Sequence, residues 1–364
     1  MKAAVLNRPA ERLEIEDLEI DPPGPNEVAI RIVASGICHS DYSVIHGVLR
    51  SPLPVVPGHE GAGIVEEVGP GVVDLSPGDH VIATLTPACG SCPMCAEEKP
   101  FLCFQMIHTM GKSTMLDGTT RLRRKGEPVH QLCGVASFAE RAVIPLGAAV
   151  RVTPDVPLEV VCLIGCGVTT GMGAALNTAG VEAGSSVAVV GCGGVGLSII
   201  QGARIAGAST IIAVDPVAEK RELARVLGAT HAVDPKEVEP RKEIRKITGL
   251  GVHYAFEAIG RTETIAQLWG LLRPTGKAVV VGMPSANEEV RLRVGGFFQQ
   301  KQIVGSVYGS AVPRRDVPRY VELYQKGELD LDRLITRRIR LEEVNEALDA
   351  MARGEGARSV IVMG

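Results

Sequence analysis

Hydrophobic positions along the chain follow two different rhythms. Up to about residue 146 they come in short runs broken by proline and glycine. Residues 28–33 and 63–68 are strand-like and sit between the turn clusters at 22–25 and 69–71, which predicts a β-rich module. Near Gly165 the rhythm changes. Residues 171–179 carry small side chains at helical spacing. Apolar strands at 187–190, 211–214, 232–233, 254–256 and 278–281 then alternate with helices at 203–206 and 219–227. The second helix turns Lys220 and Glu222 outward and Leu223, Val226 and Leu227 inward. Such alternation predicts a doubly wound parallel sheet. Beyond Ile303 the pattern is mixed again, with a helix over 341–352 and a closing strand at 359–362. The α/β chain therefore divides into residues 1–167 with 308–364, and residues 168–307.

Composition narrows what such a chain can do. A length of 364 residues suits two domains, and the 42 glycines gather in short turns rather than in linkers. The net charge of -4 supplies no basic field, so neither nucleic acid nor an anionic membrane is an expected partner. The one basic run, 121–125, reads as a solvated loop beside the turn at Asp117 and Gly118. The N-terminal stretch mixes charges among its apolar residues, unlike a signal peptide. The most apolar window, 187–200, contains four glycines and is too short to span a bilayer. A soluble, cytoplasmic protein is expected. An odd count of nine cysteines argues against a closed disulfide framework, and their spacing points to metal.

Three groups of residues carry chemistry. The first is Gly191-Cys192-Gly193-Gly194-Val195-Gly196, a G-x-G-x-x-G turn between an apolar strand and a helix. Its glycines allow a tight turn and close approach of backbone to a pyrophosphate, and the helix N-terminus favours the anion. Asp215 closes the next strand, where a carboxylate binds the adenosine ribose and repels a 2′-phosphate. Pro216 follows it instead of an arginine, which favours NAD over NADP. The second group is Cys89, Cys92, Cys95 and Cys103, four thiols within the lobe 88–104 that can close tetrahedrally around a structural Zn²⁺. An iron–sulfur run would bring its fourth cysteine sooner and follow it with proline, and Phe104 follows Cys103 here. The third group is scattered: Cys38, His59 and Cys166. Taken singly, each also reads as a buried thiol or a turn histidine.

Taken in order, G-H-E-G at 58–61, the four-cysteine lobe, C-G-V-T-T-G at 166–171 and the glycine turn form a specific combination. With it, the sequence resembles the zinc-containing alcohol dehydrogenases of the medium-chain dehydrogenase/reductase superfamily over essentially its whole length. The resemblance implies a GroES-like catalytic domain, a Rossmann coenzyme domain, NAD, and two zinc ions per chain. Cys38, His59 and Cys166 then form the Cys₂His catalytic set of alcohol dehydrogenase, with one coordination position left for substrate. Zinc in that set lowers the pKa of a primary or secondary alcohol, and the carbonyl compound forms as hydride passes to the nicotinamide.

The resemblance also assigns supporting roles. Asp41 orients the His59 ring, Glu60 stands behind the metal, and Ser40 receives the alcohol proton. A liver-type relay ends on a histidine where this chain has Ser43, so the proton leaves through His46, Ser43 or water. Thr170 packs near the nicotinamide, His39 and Arg358 meet the pyrophosphate, and Lys220 reaches the ribose. Leu85, Leu132, Cys133 and Met283 line a substrate pocket roomier than the liver-type one. Homodimers or homotetramers are implied. Three other readings stay open: a thiol-dependent formaldehyde dehydrogenase, an enzyme that retains NADH and recycles it with an external acceptor, and a non-catalytic metal- or nucleotide-binding protein. Val48, Leu49, Arg50 and Ile107 stand where glutathione-handling charges lie in the formaldehyde branch.

Overall fold

The structure is a computed structural model that describes residues 1–285 and 287–364. It contains two compact units, Met1–Cys166 with Val312–Gly364, and Gly167–Ala311.

In the second unit six parallel strands lie in the order His231–Val233, Thr210–Val214, Ser186–Val190, Val252–Glu257, Leu272–Val280, Gln302–Gly305. Numbered along the chain this order is 3-2-1-4-5-6, the doubly wound arrangement that the strand-helix alternation predicts. Val, Ile and Ala dominate the central strands because both sheet faces are covered: Ala188, Val190, Ile212 and Ala255 join Leu268 in one buried cluster, and the alternate residues Val187, Val189, Ile211 and Ala213 are buried too. The order reverses between Ser186–Val190 and Val252–Glu257, where Val190 pairs with Glu257 at the carboxyl ends. Ligands of open α/β sheets bind outside such a reversal.

Two readings of the helices need correction. The helix expected at 203–206 begins nine residues earlier, running from Gly194 to Ile205. On Ala218–Val226 the side chain of Val226 is 63% exposed, whereas Ala224 is buried. At about 100° per residue Leu227 falls between Leu223 and Ala224, and Val226 lies on the other side of Leu223, outside that stripe. The chain also returns to the first unit after Ala311 rather than after 307. Residues 306–310 stay with the second unit because Thr178 Oγ1 bonds Ser306 Oγ at 2.8 Å and Ser310 Oγ at 2.7 Å. Asn177 Nδ2 donates to the Gly309 carbonyl in the same place.

The first unit is β-rich. Its main sheet runs Ala149–Val152, His80–Ala83, Glu60–Val68, Glu27–Gly36, Arg358–Val362, Ile335–Ile339, with Arg141–Pro145 also paired to Glu27–Gly36. Register decides where the chemistry gathers. Gly36 pairs with Glu60 on one side and with Val360 on the other. The chain ends leading to Cys38, His59 and Arg358 therefore emerge together. The basic run at 121–125 is not a free loop. Leu122–Arg124 is a strand, and Arg121 forks onto Glu27 at 2.6 and 2.8 Å with its side chain only 13% exposed. Arg123 and Arg124 pair with Asp21 and Glu16. Opposed carboxylates on neighbouring segments pair with all three arginines and turn Arg121 inward, while Lys125 stays exposed.

Candidate active site

Cys38 ends the turn after the Glu27–Gly36 strand, and His59 immediately precedes the Glu60–Val68 strand. Cys166 follows the short 3-10 turn Cys162–Gly165. These three and Glu60 are all buried, with one candidate ligand atom from each lying within 4.8 Å of the others. Such spacing admits one Zn²⁺, for which thiolate ligands at about 2.3 Å stand roughly 3.8 Å apart on a tetrahedron.

Asp41 sets the geometry. It is fully buried on the His39–Ile45 helix, and it gathers donors from both segments. Its Oδ2 accepts the Cys38 N–H at 3.0 Å, and its Oδ1 accepts the Gly58 N–H at 3.0 Å. The same Oδ1 lies 3.1 Å from His59 Nδ1. That contact commits Nδ1 and leaves Nε2 as the ligand nitrogen. Burial depresses the pKa of His59, but the charge and hydrogen bond of Asp41 outweigh it and hold it well above the ordinary value. The Cys38 thiol is pulled well below its usual range, chiefly by the hydrogen bond with Cys166, and by His59 and Arg358 against the effect of burial. A thiolate beside an oriented imidazole suits a dication.

Glu60 is held by Arg358, whose guanidinium bonds its Oε2 in a fully buried pair. The structure thus places Arg358 against Glu60, beside the ligands. Ser40 is half-buried and its Oγ lies 3.8 Å from Cys38 Sγ. His39 is exposed and stacks on Tyr42, and the Tyr42 and His46 rings approach to 4.0 Å. Ser43 is half-buried one turn away. Leu85, Leu132 and Cys133 are buried at 4 to 8% exposure. Cys133 feels the charges of His59, Asp41 and Cys38, and burial pushes its thiol up to about 11, so it stays neutral. Met283 belongs to the second unit and is 57% exposed.

The four-cysteine lobe has the spacing of a closed metal site. Cys92 Sγ lies 3.6 Å from Cys95 Sγ and 3.8 Å from Cys103 Sγ, and Cys89 Sγ lies 4.0 Å from Cys95 Sγ. These are close to the edges of a zinc–thiolate tetrahedron, roughly 3.8 Å, and longer than any disulfide. Ser91 and Cys92 donors bring the Cys89 thiol down to about 6 against burial, and burial lifts Cys95 to about 12.

In the second unit Gly191 has φ +92°, and a side chain there would strike Ile259. A Cβ on Gly196 would run into the Gly191 carbonyl, whereas one on Gly193 would meet open space. Gly193, Gly194 and Val195 are half-buried at the start of a 12-residue helix, leaving backbone free to approach a phosphate. Asp215 ties the turn to the next strand: Oδ2 accepts the Cys192 N–H at 2.8 Å and Oδ1 accepts the Val217 N–H at 2.9 Å. Lys220 is half-buried on the following helix, and Thr170 is half-buried on the Gly167–Gly173 helix.

The alcohol dehydrogenase GroES-like domain model matches residues 24–155, and the zinc-binding dehydrogenase model matches residues 194–326. Alcohol dehydrogenase 1 of Pisum sativum is 39% identical over 367 aligned residues, covering 100% of this chain and 97% of that protein. The chain belongs to the zinc-containing alcohol dehydrogenases. The S-(hydroxymethyl)glutathione dehydrogenase of Escherichia coli O1:K1 / APEC is 40% identical, covering 99% of each chain. The crystal structure of benzyl alcohol dehydrogenase from Acinetobacter calcoaceticus superposes with a TM-score of 0.96 at 36% identity, covering 100% of this chain and 99% of that one. The fold is accordingly a GroES-like domain with a Rossmann-like one, and zinc and a nicotinamide dinucleotide are the cofactors of this dehydrogenase.

Sequence reasoning missed two parts of the site. The Arg358–Glu60 pair joins residues 298 positions apart, which no local pattern connects. Arg221, which donates to the Asp215 carbonyl at 2.8 Å and pairs with Asp234, looks like an ordinary charge on a helix face.

Proposed function

We propose that this dehydrogenase oxidises apolar primary and secondary alcohols, including aryl alcohols, to carbonyl compounds with NAD as hydride acceptor. The observation that carries the reading is the convergence of Cys38, His59 and Cys166 on one buried point, with Asp41 fixing the imidazole. Zinc there would supply a Lewis acid that lowers the alcohol's pKa, and NAD would accept the hydride. The chain's own residues bind and orient. Ser40 stands beside Cys38 to take the alcohol proton, and Leu85, Leu132 and neutral Cys133 keep the substrate's surroundings apolar. Glu60, held by Arg358, keeps negative charge close behind the ligands.

Asp215 supports NAD over NADP. Both of its oxygens are fixed by backbone donors at the end of the strand, and Pro216 offers no counter-charge for a 2′-phosphate. The same panel of assays tests coenzyme and substrate. We expect kcat/KM with NAD to exceed that with NADP by at least about 10²-fold, and benzyl alcohol and hexanol to exceed ethanol. A preference for ethanol sinks the apolar pocket.

The relative named for S-(hydroxymethyl)glutathione supports a second reading. Against it, Val48 and Ile107 are apolar and exposed, so charged handles for glutathione are missing there. NADH formed from formaldehyde only when glutathione is added would reverse the order of the two readings.

A homodimer fits the edge of the second unit's sheet. Gln302–Gly305 pairs only with Leu272–Val280 among the described residues, leaving a free edge. Val294, Phe297, Phe298 and Val307 are 44 to 87% exposed in the neighbouring segments. An open edge flanked by apolar side chains can pair with its own copy across a two-fold axis. Native mass spectrometry should show two chains carrying two zinc ions each, and a monomer at micromolar concentration would refute the pairing.

A further inference from the structure

Glu257 closes the Val252–Glu257 strand at the reversal of the parallel sheet, opposite the last residue before the glycine turn. It is fully buried. Its Oε1 accepts N–H donors from Ile259 at 3.1 Å and Gly260 at 2.8 Å, and the Thr264 hydroxyl at 2.7 Å. With the Arg261 N–H at 3.4 Å, four donors on one oxygen tie the loop 258–261 to the N-terminus of the Thr262–Leu271 helix, whose dipole favours the charge. The other oxygen, Oε2, is buried with no hydrogen-bond partner among the described residues. A buried polar atom left without a partner costs stability, so folding alone does not select a carboxylate there.

The surroundings give it a purpose. Val281 and Gly282 donate their N–H groups to the Glu257 carbonyl, both at 2.9 Å. A Cβ on Gly282 would stand 2.7 Å from Oε2, and one on Gly260 would meet the Met283 backbone at 2.9 Å. Loops 258–261 and 281–283 therefore cross over this one side chain. The first of them packs on the dinucleotide turn, since a Cβ on Gly191 would lie 2.5 Å from the Ile259 side chain.

We infer that Glu257 is a positioning residue for the coenzyme: it holds both loops in the shape that grips the dinucleotide beside Gly191–Gly196. The inference rests on the proposed dinucleotide function of that turn. It acts through the two loops, so it governs coenzyme affinity more than the chemical step. A glutamine there would keep its carbonyl on the Oε1 donors and set an uncharged, unpartnered amide in the place of Oε2, so it removes the negative charge that strengthens the hold on the first loop while keeping the side chain's size.

The test uses the full-length zinc enzyme, with NADH and ADP-ribose binding followed by titration calorimetry and with initial rates over a range of NAD. In Glu257→Gln the Kd for both ligands and the KM for NAD should rise about tenfold, the worth of a charge-assisted hydrogen bond, while kcat changes far less. Thr264→Val removes one donor without touching the carboxylate and should raise the Kd about threefold; it carries the test if the glutamine variant does not fold. Binding within twofold of wild type in a folded variant, whatever its melting temperature, overturns the inference. Failure of the wild-type enzyme to bind either ligand would instead remove the coenzyme reading on which it rests.

Discussion

Replacing Cys166 by alanine should lower kcat/KM for benzyl alcohol by at least about 10³-fold, because a Lewis acid contributes several kcal/mol to such a reaction. The zinc content should fall from two ions per chain to one. Cys166 is 7% exposed and follows the Cys162–Gly165 turn. Glu60 is the nearest substitute, with an oxygen within 4.8 Å of the other ligand atoms. Its carboxylate is already engaged by the buried guanidinium of Arg358. Moving it onto the metal would strand that arginine, and an unpaired buried charge costs about 3–5 kcal/mol. The lobe of Cys89, Cys92, Cys95 and Cys103 draws no ligand from this cluster, so its ion should remain and the melting transition should stay cooperative. Metal analysis and steady-state rates on the same preparation check both halves. A variant with one zinc and more than a tenth of wild-type kcat/KM would remove the metal from the chemistry.

What could be read in advance depended on how local each signal is. The glycine turn and the four cysteines of the lobe each lie within a short stretch, 191–196 and 89–103, so spacing alone defines them. The parallel sheet of the second unit was legible because both faces of each strand are buried and the runs are continuous, whereas its strand order came only from the structure. The catalytic set was not legible from spacing. Cys38, His59 and Cys166 meet because Gly36 pairs with Glu60 and because the chain returns through the Cys162–Gly165 turn, and such register has no sequence period. Only the resemblance of the surrounding motifs joined them. Side chains that look like surface charge were misread for the same reason. Arg121 turns inward to Glu27, 94 positions away, and only the folded sheet brings that carboxylate beside it.

Asp41 carries the second large expectation. In Asp41→Asn the side chain keeps its shape and loses one acceptor. If its carbonyl oxygen faces Gly58 N–H and His59 Nδ1, its amide must point at the Cys38 N–H, donor against donor. If it turns the other way, the imidazole loses the partner that fixes its tautomer. Either way one buried group is left unmatched, at about 1–3 kcal/mol, and one metal ligand is no longer held in place. The expected result is a loss of about 10- to 100-fold in kcat/KM and faster removal of the catalytic zinc by a chelator, with the four-cysteine zinc unaffected. Asp41→Ala orphans all three donors and should lose more stability than the asparagine variant. The two outcomes are linked, because the same carboxylate clamps Cys38 and His59 to one another. An asparagine variant that keeps wild-type turnover and resists chelation as well as the parent would show that zinc alone arranges its ligands, and that Asp41 serves only the fold.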